Sequence, residues 1–368
     1  MLKSLSVENY RGFKKYTLGG LSRVNLLVGK NNGGKTSLLE CVHLLAAGGD
    51  PSVLIDIASR RGEMTPASVD EGGFVDISHF FHGHTVGEDA QFSIRSDNSL
   101  PSVKVRVVPL SQIDGGPELL DVSRTRNPAF ALRIEGAGSD SRGAVPIVLS
   151  SEGTIVFGPR RPFRRTLIKE EPSVAPPIQF ITPDSLDLRY LAKIWNQILL
   201  DSRESEVIEA MRILDPQIAS IVFLTGEPQG VRSYGGRAGV ILGFKGDHRR
   251  VPLGSCGDGM RRLLALSAAL IQAKKGFLII DEMDTGFHYS IMGDVWSLVA
   301  KTAIKLDIQV FATTHSFDCV RGLAAVCRDD QTIGSQVSLH KIERGLEASV
   351  PFSGAELITA AEHELEVR

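Results

Sequence analysis

A mixed α/β fold, with parallel strands joined by crossover helices, is what this sequence predicts, on three observations. The apolar run VNLLVG at 24–29 ends in a glycine-rich turn, and Leu38, Leu39, Val42 and Leu45 then recur at helical spacing. A second apolar run, FLII at 277–280, ends directly in two carboxylates. Between 259 and 314 the order is helix, strand, helix, strand. That order implies a parallel crossover with functional loops at the strands' carboxyl ends.

Along the chain, residues 2–28 read as three strands, LKSLSVENY, FKKYTL and VNLLVG. Turns at Arg11–Gly12 and Gly19–Gly20 separate them. A helix is expected over 35–46. From about 50 to 165, short alternating stretches broken by Gly, Pro, Asp and Ser predict an inserted β-rich, antiparallel lobe. PSVAPPIQFITP, with its four prolines, marks a boundary near 172–183. A helical pair follows, with Leu191, Ile194, Trp195, Ile198 and Leu199 on one face and Val207, Ile208, Met211 and Leu214 on another. Each arm is short, about 18 to 24 Å at the helical rise, so no long coiled coil is expected. The predicted organisation is an N-terminal lobe at 1–172, a helical insertion with connecting strands at 173–250, and a C-terminal lobe at 251–368.

The composition is 42% hydrophobic and 23% charged, that of a globular protein, and a net charge of -2 excludes a surface basic throughout. Nucleic-acid binding would need a local patch. Cys41, Cys256, Cys319 and Cys327 show no Cys-x-x-Cys spacing and read as free thiols of a reducing compartment. The first residues lack a signal peptide's apolar core, and no run is long enough for a membrane span. The expectation is a cytoplasmic protein without membrane association.

The glycine-rich turn is a full phosphate-loop pattern, Gly29-Lys30-Asn31-Asn32-Gly33-Gly34-Lys35-Thr36, followed by Ser37. Gly33 and Gly34 let backbone amides turn toward an anion, and the helix N-terminus adds partial positive charge. Lys35 would reach β- and γ-phosphates and Thr36 would bind magnesium. In FLII-Asp281-Glu282, an apolar strand ending in adjacent carboxylates has few purely structural uses. Asp281 would hold the magnesium, and Glu282 would orient or deprotonate the attacking water.

Four stretches in this order resemble the ABC-type ATPases of the RecF, SMC and OLD group: ENYRGFKKYTL with VNLLVGKNNGGKTSLLE, then GSCGDGMRRLLAL, FLIIDEMDTGFHYS and VFATTHS. The resemblance covers roughly the first 45 residues and 254–317. It implies a P-loop NTPase with an ABC-ATPase-like head, a β-rich N-terminal lobe and a short helical insertion. Implied with it are ATP and Mg2+ as cofactors and a head-to-head dimer closed by ATP and reopened by hydrolysis. Arg11 matches the arginine of the opening turn and is expected near the nucleotide. His315 matches the switch histidine, and Asp284, Thr285 and Gly286 the D-loop at the dimer seam. GSCGDGM matches the signature that completes the opposite subunit's site, with Ser255 or Gly257 at its serine position and Asp258 and Gly259 after it. The signature lacks a clean Ser-Gly-Gly-Gln, Asn32 replaces a usual glycine, and Gln91 and Gln179 are both weak Q-loop candidates.

Many OLD-group members carry a C-terminal TOPRIM nuclease. The segment after His315 is short and has no Asp-x-Asp, so this chain is expected not to cut nucleic acid itself. The resemblance implies a separately encoded nuclease or toxin partner in antiphage defence or DNA repair. An alternative is an ATP-gated scaffold that hydrolyses slowly and sequesters its partner. A P-loop kinase would not need the Asp-Glu pair followed by a D-loop and a switch histidine.

Two further signals are weaker. His79, His82 and His84 invite a metal, but such loose spacing is more often a loop with histidines. Arg160, Arg161, Arg164, Arg165 and Lys169 around Phe163 suit DNA or an acidic partner, although charge runs are usually solvated linkers. If the run grips DNA, the double variant Arg160→Ala/Arg161→Ala will flatten the slope of log affinity against log salt by about 1.8. A salt titration giving one curve for both proteins would remove DNA from this segment.

Overall fold

The computed structural model describes residues 1–68, 72–97, 99–113, 127–136, 147–157, 175–183, 188–224, 239–246 and 250–363. The chain forms two compact units that interleave in sequence. The first holds 1–21, 34–176 and 343–349, the second 22–33, 177–342 and 350–368.

In the first unit, β1 (Ser4–Tyr10) and β2 (Phe13–Gly19) form a hairpin. They join β6 (Gln91–Ser96), β7 (Val103–Pro109), β8 (Pro128–Glu135) and β9 (Ile147–Ser150) in an antiparallel sheet of order β2-β1-β6-β7-β8-β9. A smaller sheet of β4 (Met64–Ser68), β5 (Gly72–Asp76) and β10 (Thr154–Phe157) completes the strands described for this unit. Alternation along β7 buries Val103, Val105 and Val107, as expected for a sheet with one covered face.

Two helices accompany these sheets, α1 (Lys35–Ala46) and α2 (Pro51–Arg61). The first matches the expected helix. The second corrects the expectation of strands from residue 50: Asp50 caps it, Pro51 opens it, and Val53, Leu54, Ile57 and Ala58 are buried at helical spacing. Asp56 between those positions and Ser52, Ser59, Arg60 and Arg61 around them hid the period.

The second unit is the predicted parallel core. Its main sheet runs β11 (Ile178–Ile181), β15 (Phe277–Ile280), β16 (Gln309–Thr313), β3 (Val24–Val28), β17 (Val337–Lys341), β18 (Val350–Ser353). All neighbours are parallel except the last pair. Strand β15 passes through α6 (Met292–Leu306) to β16, and β16 through α7 (Phe317–Asp329) toward β17. Trp296 of α6 is fully buried and donates its indole N–H to Cys319 O at 3.0 Å. α8 (Gly354–Glu362) closes the unit behind a Ser353/Glu356 capping box.

A second core gathers the helical pair α3 (Leu188–Leu200) and α4 (Glu204–Met211) with the sheet β12 (Ile218–Leu224), β13 (Gly239–Phe244), β14 (Arg250–Pro252). α5 (Asp258–Gln272) serves both cores, with Leu266 and Leu270 in one and Leu263, Leu264 and Ile271 in the other. A helix apolar on nearly all sides belongs in such a buried position. Leu199, expected on the apolar face of α3, is exposed at its last turn.

One buried polar cluster pins the centre of the parallel sheet. The Asn25 amide donates to Ser22 O and Val310 O, both at 2.9 Å. It accepts from Ser22 N–H at 2.7 Å and from the Ser338 hydroxyl at 2.9 Å, tying β3 to both neighbours. Beside it, burial pushes His340 down to about 4, so this histidine is neutral at physiological pH. The variant Asn25→Ala leaves several buried groups unpaired and will lower stability by about 3 kcal/mol in urea denaturation. A loss below about 1 kcal/mol would show that water substitutes for the amide.

Candidate functional site

Parallel strands in register bring their carboxyl ends to one edge, and the site residues of the second unit lie there. Ile280 pairs with Ala312, and Ala312 with Leu26. One residue or more beyond these positions come Asp281, Thr313 and, past Val28, the loop Gly29–Gly33. One strand, β16, separates the acidic strand end from the strand that enters the phosphate loop.

The loop is shaped by its backbone. Gly29 has φ +143, and a Cβ there would lie 2.3 Å from Ile342 O. Gly33 N–H donates to Lys30 O at 3.1 Å, closing a turn through Asn32 at φ 59. Asparagine tolerates this left-handed conformation better than most side chains, so Asn32 can stand where glycine is usual. The division between the units falls after Gly33. Gly34, at φ 96, is the N-cap of α1, and its missing Cβ would meet the Phe13 ring at 2.3 Å. No side chain caps this N-terminus and no acidic residue occupies its first turn, the arrangement an anion site needs. Lys35 is buried at the first helical position.

Thr313 organises the acidic end. Its hydroxyl donates to Asp281 Oδ1 at 2.6 Å and accepts from Glu282 N–H at 2.9 Å, while its carbonyl accepts from Met283 N–H at 2.8 Å. Glu282 has φ 52, a left-handed conformation that such restraint sustains. The Thr314 hydroxyl donates to Asp284, and the Thr285 hydroxyl donates to Glu282 Oε2 at 3.0 Å. From α5, the buried Arg262 guanidinium donates to the carbonyls of Asp281 at 2.9 Å and Glu282 at 3.1 Å, and to Thr182 O. His315 stands exposed just past β16. Gly286, at φ 81, approaches the first turn of α5 so closely that a Cβ on Gly259 would lie 2.8 Å from its carbonyl. Ser255, Gly257 and Asp258 are exposed at that end of α5, and its N-cap Gly257 makes no side-chain cap.

Arg11, expected near the nucleotide, joins a buried ion-pair network in the first unit. In the left-handed turn between β1 and β2 (φ 48), its Nε donates to Glu40 at 2.7 Å and its two Nη atoms to Glu63 at 2.6 and 3.0 Å. Arg61 donates to the other Glu40 oxygen at 2.6 Å, and Tyr10 adds its hydroxyl at 2.9 Å. Two arginines and two glutamates balance in charge, and the Arg11 guanidinium lies over the Phe80 ring at 4.8 Å. Burial alone would lower the Arg11 pKa, but the Glu63 hydrogen bonds and the nearby Glu40 and Glu63 charges raise it overall. The network fixes α1 to the hairpin.

Of the other expectations, Gln91 opens β6 and Gln179 lies within β11. His79 and His84 approach through Nδ1 atoms at 3.3 Å, and His82 bonds Arg11 O at 2.9 Å. The described residues contain no group of three metal ligands. Arg160, Arg161, Arg164, Arg165 and Lys169 lie outside the described residues. All four cysteines are free. No described helix is long and apolar enough to cross a membrane. Sequence reasoning missed the roles of Thr313, Thr314, Arg262, Glu40 and Glu63. The one available signal was a polar residue, Thr313, following the apolar run Val310–Ala312.

Comparison with known proteins agrees with the loop and the acidic strand end: this is an ATPase of AAA/ABC type in the RecF/SMC-like group. The chain belongs to the family described as "AAA domain, putative AbiEii toxin, Type IV TA system", whose profile matches residues 123–318, more than half its length. An "AAA ATPase domain" profile matches residues 1–75. An ATP/GTP phosphatase of Helicobacter pylori is 24% identical over 356 residues, 89% of each chain. The DNA replication and repair protein RecF of Clostridioides difficile is 49% identical over 47 residues, only 13% of each chain. Among solved structures, an SMC head bound to the C-winged helix domain of ScpA covers 96% of this chain and 97% of that one at 13% identity, TM-score 0.48. The SMC head domain of Thermotoga maritima covers 96% and 98% at 12% identity, TM-score 0.42.

The variant Arg11→Ala will strip one partner from two carboxylates and lower stability by roughly 3–5 kcal/mol. Urea unfolding measures it. A shift below about 1 kcal/mol would show that water or Arg61 satisfies Glu40.

Proposed function

We propose that the chain holds ATP on the 29–37 loop and hydrolyses it with Glu282 as the group that orients and deprotonates water. Hydrolysis then resets a head-to-head dimer that drives or gates a separate nuclease or toxin in antiphage defence or DNA repair. The observation that carries this reading is the Thr313 hydroxyl, which holds Asp281 and the Glu282 backbone one strand away from the strand that feeds the loop. Catalysis of phosphoryl transfer is largely positioning and charge stabilisation, and such bracing supplies the first.

Each residue then has a task. Lys35 would meet the β- and γ-phosphates, with Gly29, Lys30, Asn31, Asn32, Gly33, Gly34 and Ser37 shaping the cradle. His315 would face the γ-phosphate. Thr36 and Asp281 offer only oxygen donors, which suits magnesium, a metal that neutralises phosphate charge when bound. From the second copy, Ser255, Gly257, Asp258 and Gly259 would close over the triphosphate, with Asp284, Thr285 and Gly286 at the seam.

Support for the wider role comes from the family's toxin–antitoxin description and from the names of the relatives, an ATP/GTP phosphatase and a DNA repair protein. Nothing in this reading requires the chain itself to cut nucleic acid. The 158–169 arginines would serve DNA or an acidic partner. The departure of GSCGDGM from Ser-Gly-Gly-Gln favours a second reading, a slowly hydrolysing scaffold that ATP locks around its partner.

The variant Glu282→Gln will lower ATP turnover at least about 100-fold while retaining ATP and accumulating dimer on a sizing column, and Lys35→Ala will lose both. Mixing Lys35→Ala with a variant damaged at Gly257–Gly259 will restore part of the activity through one intact composite pocket. Absence of any restoration would remove the shared-pocket dimer. Wild-type turnover too slow to measure, with ATP still changing partner binding, would favour the scaffold.

A further inference from the structure

We infer that Thr285 is a positioning residue for ATP hydrolysis, its hydroxyl aiming the Glu282 carboxylate; this rests on the assignment of Glu282 as the water-activating group. Glutamate has three side-chain torsions, and Glu282 lies only half-buried, so packing alone would leave its carboxylate free to sample several directions. Among the described residues one donor restrains it: Thr285 Oγ1 to Oε2 at 3.0 Å. The same threonine donates its backbone N–H to the Glu282 carbonyl at 3.1 Å, so turn and side chain are closed by one residue.

Thr285 is itself held on both sides. Asp284 before it is bonded by Thr314, which also accepts from Ser316 N–H at 3.0 Å. Gly286 after it is seated against Gly259 at the first turn of α5. A β-branched residue between two fixed neighbours has few rotamers, which makes its hydroxyl a directional donor. An ionised carboxylate can only accept, so the polarity of the contact is set. With Oε2 engaged, the remaining oxygen is left to take the proton from water. A catalytic group must be held to about 0.5 Å and 10–20° to work, and this hydrogen bond is the contact that does so for the carboxylate.

The test uses the full chain with ATP and magnesium and compares Thr285→Val, which keeps the shape, with Thr285→Ser, which keeps the donor. Thr285→Val will lower kcat about tenfold, a fraction of what a general base supplies, with KM and the Kd of a fluorescent ATP analogue within about twofold of wild type. Thr285→Ser will keep at least about half of wild-type kcat, which a purely structural role for the methyl group would not produce. Adding Thr285→Val to Glu282→Gln will cause no further loss, because the hydroxyl acts through that carboxylate. Circular dichroism checks folding, and should the valine variant fail to fold, Thr285→Ala against Thr285→Ser gives the same comparison. Unchanged or raised kcat in the valine variant, or a serine variant as impaired as valine, would overturn the inference. If Glu282→Gln itself turned over ATP like wild type, the base assignment would fall and this inference with it. If Glu282→Gln is inactive and Thr285→Val is not, only Thr285 loses its role.

Discussion

The arrangement of the second unit depends on one hydroxyl, that of Thr313. A strand lying between two others in a parallel sheet has backbone groups saturated on both sides, so beyond its end only side chains can link the neighbouring loops. Thr313 uses its lone pair and its proton at once, on Glu282 N–H and Asp281 Oδ1. That double use sustains the left-handed backbone of Glu282, which on its own costs of the order of 1–3 kcal/mol. Thr314 and Arg262 extend the restraint to Asp284 and to the carbonyls on the opposite side of the turn. The acidic strand end is therefore restrained by three side chains that hold its polar groups.

The first unit solves a related problem with charge. Glu40 is buried on α1, and an isolated buried carboxylate is strongly disfavoured. Arg11, Arg61 and Tyr10 compensate it from three directions, and Glu63 balances the second guanidinium contact of Arg11. Replacing such a network with well-packed apolar residues is often neutral or stabilising, so stability alone gives little reason for its presence. Its geometric effect is clear within the first unit: it ties α1 and α2 to the β1–β2 hairpin.

Local signals were legible in the sequence, and long-range ones were not. The phosphate loop, α1, β15 and the first arm of the helical pair carried strong periodicity or a motif and lie where expected, while the second arm is shorter, ending at Met211 before Leu214. Helix α2 was hidden because its polar residues mask four apolar positions. The place of β3 between β16 and β17 could not be read, since pairing partners hundreds of residues apart leave no local trace. For the same reason the duties of Thr313 and Arg262 were invisible: a threonine ending a strand and an arginine in a helix are ordinary until their neighbours are known. Arg11 was singled out for a place near the nucleotide, and its ion-pair partners could not be read because Glu40 and Glu63 look like routine helix and loop residues.

The central position of β3 also has a temporal consequence. Asn25 bonds to Val310 O, 285 positions later, and both strands flanking β3 come from the last sixth of the chain. On a ribosome adding about 5–20 residues per second, β3 waits roughly 15 to 60 s for its neighbours. During that interval its five apolar-flanked residues have two open edges, a template for mispairing with other nascent chains. Asn25, the polar second residue of that strand, makes such mispairing less favourable before it becomes the clasp of the finished sheet.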